Sequence, residues 1–266
     1  MNRIAQTFTS LKANNKKALI PFITAGDPNP TITVSLMHQL VQSGSDIIEL
    51  GVPFSDPMAD GPTIQRSSER ALKHHISLNN VLGMVSDFRK IDKQTPVVLM
   101  GYANPIEAMG YEIFAAKAKI SGVDGVLIVD YPPEESDEWV ACLKKHAIDA
   151  IFLLSPTTLK QRFEKVAKFA RGYIYYVSLK GVTGASHLDL SEVKTMLTQI
   201  RESISIPIGV GFGIRDGATA KAVSEFADAV VVGSRIIEEI EQSPNTDVLR
   251  NVGDLIETLR KAIDED

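Results

Sequence analysis

Three carboxylates crowd one short stretch of this chain, in unlike surroundings. Glu49 lies inside the apolar run 46–52, and Asp56 and Asp60 lie on the loop that follows. Gly51 and Pro53 break the run, and Pro57 and Gly61 stiffen and turn the loop. A carboxyl set among apolar residues is costly to ionise, so the pKa of Glu49 is expected to rise. Two carboxyls in different environments are what general acid–base chemistry needs.

A second group has the composition of an anion site. Gly211, Gly213, Gly233 and Ser234 follow two late apolar runs. Glycine lets backbone N–H groups approach a phosphate closely, and Ser234 adds a hydroxyl. Gly184, in the loop Gly181-Val-Thr-Gly184, is placed to close such a cup. That loop is rich in glycine and small residues, the composition of a lid over substrate. Of the histidines, His187 is expected to be exposed, and His38, His74, His75 and His146 fall on predicted helices as surface residues. No histidine pair shows a metal-ligand spacing with an acid, and no metal is expected.

Positioning these groups is the work of a regular beat of elements. Runs rich in Val and Ile recur at 18–25, 46–52, 96–102, 125–129, 150–154, 173–179, 207–211 and 229–233. They are continuously apolar rather than alternating, as parallel strands covered on both faces must be. Amphipathic stretches at 31–43, 134–145, 191–201 and 218–226 lie between them. About eight strand–helix units of roughly 25–35 residues predict an α/β fold, a TIM (β/α)8 barrel. The first strand ends Thr-Ala-Gly-Asp-Pro28, which is not the glycine fingerprint of a doubly wound dinucleotide fold. Residues 4–14 read as an extra N-terminal helix covering the barrel floor, and no linker divides residues 1–266, which are read as a single domain. In a barrel the chemistry sits where strands end. That rule selects Asp27, Glu49, Asp56, Asp60, Tyr102, Asn104, Asp130, Tyr175 and Lys180.

Composition narrows the function classes. The 266 residues carry a formal net charge of −5 and no basic run, which argues against nucleic acid. The single cysteine excludes an internal disulfide and a multi-cysteine metal site. No apolar run is long enough to span a bilayer, and the start lacks a signal peptide's apolar core, so a cytoplasmic protein is expected.

From the first strand to the last helix the chain resembles the tryptophan synthase alpha subunit family. The resemblance rests on Ile48-Glu-Leu-Gly-Val-Pro-Phe-Ser-Asp-Pro-Met-Ala-Asp-Gly61, Pro21-Phe-Ile-Thr-Ala-Gly-Asp-Pro28, Met100-Gly-Tyr-Ala-Asn-Pro105, Gly181-Val-Thr-Gly184, Gly211-Phe-Gly213 and Gly233-Ser234. It implies a lyase of aromatic amino-acid biosynthesis that cleaves indole-3-glycerol phosphate to indole and glyceraldehyde 3-phosphate. Glu49 would be the acid–base and Asp60 the carboxylate facing the indole N–H. Phe22, Met100, Leu127 and Phe212 would form an apolar slot, with Tyr102, Tyr175 and Thr183 also against substrate. Gly184, Gly213, Gly233 and Ser234 would hold phosphate. The resemblance further implies an alpha2beta2 assembly with a beta subunit that carries pyridoxal phosphate, no cofactor in this chain, and an interface near Pro53, Asp56 and Asn104. Many family members carry arginine where Leu179 stands, so loop closure here would use different contacts.

Other readings of the same residues are a Schiff-base aldolase through Lys180, a magnesium site at Glu49, Asp56 and Asp60, and a non-catalytic phosphate-binding regulator.

Overall fold

The computed structural model describes residues 2–178, 190–211 and 213–265. Eight parallel strands close into a barrel in strict chain order. They are β1 (Ala18–Thr24), β2 (Ile48–Gly51), β3 (Val97–Gly101), β4 (Gly125–Ile128), β5 (Asp149–Leu154), β6 (Ile174–Val177), β7 (Ile208–Gly211) and β8 (Ala229–Val232). Each coincides with an apolar run, usually trimmed where the chain turns out of the sheet. The closing pair sets Ala18 against Ala229 and Ile20 against Val231, so no sheet edge remains open.

The helices around the barrel are α1 (Arg3–Ala13), α2 (Pro30–Gln42), α3 (Pro62–Leu72), α4 (Leu78–Phe88), α5 (Ala103–Met109), α6 (Tyr111–Ser121), α7 (Asp137–Lys145), α8 (Lys160–Phe169), α9 (Leu190–Arg201), α10 (Gly217–Ser224), α11 (Ser234–Gln242) and α12 (Val248–Asp264). Their starts follow local chemistry. Asn29 caps α2 ahead of Pro30, Ser77 and Asn80 form a capping box on α4, and Asp216 caps α10 through the Thr219 N–H.

Two apolar layers result. Strand residues pointing outward, such as Ile48, Leu50, Val97 and Leu99, pack against the helices. Those pointing inward fill the barrel, among them Ile20, Ile47, Val98, Leu127, Ile151, Tyr173 and Val231. Ile4 and Phe8, one turn apart on α1, are buried in this inner layer, so the N-terminal helix plugs the floor as expected. Among the described residues no helix is long and apolar enough to cross a membrane.

Beneath the strands a buried polar knot ties the floor together. Asp124 accepts from Arg89 Nη2 at 2.8 Å, from Arg3 Nη1 at 2.8 Å and from the Val97 N–H at 3.0 Å. Removing one partner of a buried ion pair strands the other charge. Asp124→Ala is therefore expected to cost about 3–5 kcal/mol in urea unfolding, with the denaturant slope unchanged.

Candidate active site

The site grows from the alternation of β2. Ile48 and Leu50 face the helices, so Glu49 and Gly51 must face the barrel interior. Glu49 is fully buried and sits in register with Phe22 on β1 and Val98 on β3. Its Oε1 accepts a hydrogen bond from the Tyr173 hydroxyl. Its Oε2 is buried with no hydrogen-bond partner among the described residues. Burial drives the Glu49 pKa up to about 7, and the Tyr173 hydrogen bond offsets part of that rise. Tyr173 is a site residue that sequence reasoning missed. Its spacing of two from Tyr175 was the available signal, since it points both rings inward, one just before β6 and one on it.

Asp60 is held by different means. Its carboxylate accepts from the Tyr102 hydroxyl at 2.9 Å, and the same hydroxyl accepts from the Ala59 N–H at 3.0 Å. Phe54 stacks on Tyr102 with centroids 5.0 Å apart. Gln65 Nε2 donates to the Asp60 carbonyl at 2.8 Å, tying the loop to α3. The strand 3 tyrosine is therefore the post on which the acidic loop hangs. Desolvation raises the Asp60 pKa, against the lowering effect of the Tyr102 bond. The expectation of carboxyls in unlike settings is met by these environments, one inside the barrel and one half-buried at its mouth.

Asp60 borders a small, mainly apolar cavity with Phe22, Gly51, Met100, Tyr102 and Val129, to which Thr24 and Ser68 add hydroxyls; Glu49 is not among its lining residues. A Cβ on Gly51 would come within 2.5 Å of the Phe22 ring, so only glycine lets that ring lie across the strand. Leu127, expected in this slot, is fully buried on the inner face in register with Met100, and Val129, two residues further along, lines the cavity. The stagger of barrel strands decides which residue reaches the mouth, and the sequence of one strand does not contain it. The Tyr175 hydroxyl is pushed well up by burial first and then by Glu49 and Asp60, so it lies within the field of both acids.

Past the ends of β7 and β8, the latter paired with β1, Gly213 is exposed with φ +76, a conformation that favours glycine. Gly233 precedes α11, whose first turn begins with exposed Ser234 and has no side-chain cap. Arg235 is turned to Glu239 at 2.7 Å rather than to the rim. Thr183, Gly184 and Phe212 lie outside the described residues, as do Leu179, Lys180 and His187.

Other mouth residues turn out to have structural partners. Asp27 is buried and bound by Arg70 through two bonds of 2.6 and 2.8 Å, and Arg70 also reaches Glu241 at 2.7 Å. Asp130 accepts from the Ala103 N–H at 2.9 Å and so starts α5. Asp56 and Asn104 are exposed, whereas Pro53 is buried within this chain. His38 is not a surface residue as expected. It is half-buried, with its ring 4.7 Å from that of Phe88. The donor atoms of Glu49, Asp56 and Asp60 do not gather into a three-ligand cluster.

Residues 8–264 match the family model described as tryptophan synthase alpha chain. The chain belongs to the tryptophan synthase alpha chain family. It is 69% identical over 264 residues to the tryptophan synthase alpha chain of Nitrosomonas europaea, covering 99% of this chain and 96% of that one. It is 60% identical to the alpha chain of Herminiimonas arsenicoxydans, over 100% of both. The crystal structure of the tryptophan synthase alpha subunit from Legionella pneumophila superposes with a TM-score of 0.94 at 51% identity, over 99% of both chains. As a tryptophan synthase alpha chain, it is the lyase subunit that cleaves indole-3-glycerol phosphate.

The burial of Glu49 has a pH signature. Its folded pKa of about 7 exceeds the ordinary 4.5, so the proton is held more tightly in the folded state. No penalty exists below the unfolded value; it grows as pH rises and is complete above the folded value. Glu49→Gln is therefore expected to stabilise the fold by up to about 3 kcal/mol above roughly pH 8 and by almost nothing near pH 4, read by urea unfolding at both.

Proposed function

We propose that Glu49 and Asp60 carry the lyase reaction as a proton shuttle and a charge stabiliser. What supports this reading above all is the Glu49 carboxyl, buried, shifted to about 7 and with Oε2 unpaired among the described residues. A group that must give a proton and then take one works best with a pKa near the working pH.

The substrate has a phosphate at one end and an indole at the other. The ring would enter the slot formed by Phe22, Met100 and Tyr102, flanked by Tyr175, while the phosphate meets Gly213, Gly233 and Ser234 across the mouth. Gly184, Thr183 and Phe212 complete these two ends in the proposal. Neutral Glu49 protonates the ring carbon that bears the glycerol chain, giving an indolenine cation. Asp60 accepts the indole N–H and stabilises the positive charge developing on that nitrogen. The Glu49 carboxylate then removes the proton from the hydroxyl on the attached carbon. That oxygen forms the carbonyl, the carbon–carbon bond breaks, and its electron pair neutralises the indolenine nitrogen. Indole and glyceraldehyde 3-phosphate leave, and Glu49 is neutral again.

We further propose a beta-subunit partner in an alpha2beta2 assembly, with pyridoxal phosphate on the partner and none needed here. Exposed Asp56 and Asn104 are the interface candidates, with buried Pro53 supporting the loop from within.

Indole release is the direct assay. Glu49→Gln is expected to lower kcat by about 10²–10⁴. Asp60→Asn should lower kcat strongly while leaving phosphate-dependent substrate binding nearly intact; lost binding would make Asp60 a loop-supporting residue instead. Because neutral Glu49 begins the cycle, kcat/KM should fall as pH rises through about 7. Tyr173→Phe removes a bond that favours the carboxylate, so that alkaline limb should move to higher pH.

A further inference from the structure

Away from the barrel mouth, the outer helices bring together three side chains of different chemistry. Glu112 lies in the first turn of α6. Cys142 lies on α7, and His146 is the residue that ends it. Cys142 and His146 are four residues apart, one helical turn, so both face the same way. One ligand atom from each of the three lies within 4.8 Å of the others, the only such group among the described residues. His146 Nε2 is 3.4 Å from Glu112 Oε2.

We propose that Glu112, Cys142 and His146 form a site for a borderline-soft divalent cation of the zinc class. The donor set of thiolate, imidazole and carboxylate selects such an ion over magnesium or calcium, which prefer oxygen alone. The geometry is nearly made. Zinc bonds of about 2.0–2.2 Å to nitrogen and oxygen at a tetrahedral angle leave those two atoms roughly 3.3–3.5 Å apart. The observed imidazole–carboxylate spacing already has that value. Side-chain rotation of about 1 Å brings the sulfur to its longer bond of roughly 2.3 Å. Three protein ligands leave the fourth position to water, on the side where Glu112 is exposed.

A cation already occupies the neighbourhood of this carboxylate. Lys145 Nζ lies 3.0 Å from both Glu112 oxygens, in a solvent-exposed pair. The metal would take over that carboxylate and release the ammonium to solvent. It would also join α6 to α7 beside Trp139, the single tryptophan of the chain. Trp139 lies one turn before Cys142 and contacts Tyr111, the neighbour of Glu112, with ring centroids 5.4 Å apart. The site is separate from Glu49 and Asp60, so its loss leaves indole release unchanged.

Cobalt(II) is the probe, because a thiolate–cobalt bond gives a near-ultraviolet charge-transfer band. With one cysteine in the chain, any such band comes from Cys142. Titrating the full chain with Co2+ should give that band at one equivalent, with a change in Trp139 emission, and Zn2+ should displace it. Cys142→Ser should abolish the band. His146→Ala and the surface substitution Glu112→Ala should each weaken binding at least about 100-fold, the upper end of the loss for a mere outer-shell change, with wild-type indole release. Lys145→Met should tighten it. No thiolate band at stoichiometric Co2+, or a band whose affinity is unmoved by both Glu112→Ala and His146→Ala, overturns the site.

Discussion

The structure turns on one carboxyl group kept out of water. Glu49 projects from a barrel strand into an interior filled mainly by aliphatic side chains and aromatic rings. Ionising it there forfeits hydration that one hydroxyl cannot replace, and the result is a pKa of about 7 in place of 4.5. Tyr173 sets how far the shift goes. With no donor Glu49 would stay protonated at neutral pH, and with several it would be an ordinary carboxylate. One hydrogen bond leaves it between those limits, at a cost in stability that the rest of the barrel must absorb.

The surrounding scaffold serves to keep that interior closed and the mouth in shape. Below, α1 inserts Ile4 and Phe8, while Asp124, Arg89 and Arg3 lock the strand entrances. Above, Arg70 joins the end of β1, through Asp27, to α3, and reaches Glu241 on α11. The same α3 begins just after Asp60, and α11 begins at Ser234. One guanidinium thus fixes the acidic loop's exit relative to α11, whose first residue, Ser234, belongs to the proposed phosphate site. Tyr102, between β3 and α5, completes the frame by holding Asp60.

The barrel could be read from the chain because its strands are covered on both faces, leaving continuous apolar runs that helices and loops interrupt. Glu49 stood out for the same reason, as a charge inside such a run. Helix α3 was harder to see: its buried positions are Ser67, Ser68 and Ala71, small residues that form no apolar stripe. Tyr173, just before β6, carries no local sign of a site role, because an aromatic residue at a strand's start is usually core; only closure of the barrel brings its hydroxyl to the Glu49 carboxylate. The place of Val129 beside the cavity reflects strand stagger, and the capture of Asp27 by Arg70 is a long-range pairing. Neither leaves a local mark in the sequence.

The proton on Glu49 can be observed without turnover. Carbon-13 labelling of glutamate side chains, with Glu49→Gln to assign the resonance, gives the titration of that carboxyl in the folded, ligand-free chain. A midpoint near 7 is the result predicted by burial against a single tyrosine hydroxyl. A midpoint near the ordinary 4.5 would show that Glu49 is hydrated and ionised at neutral pH, and would contradict the role proposed for it as the proton donor that opens the reaction.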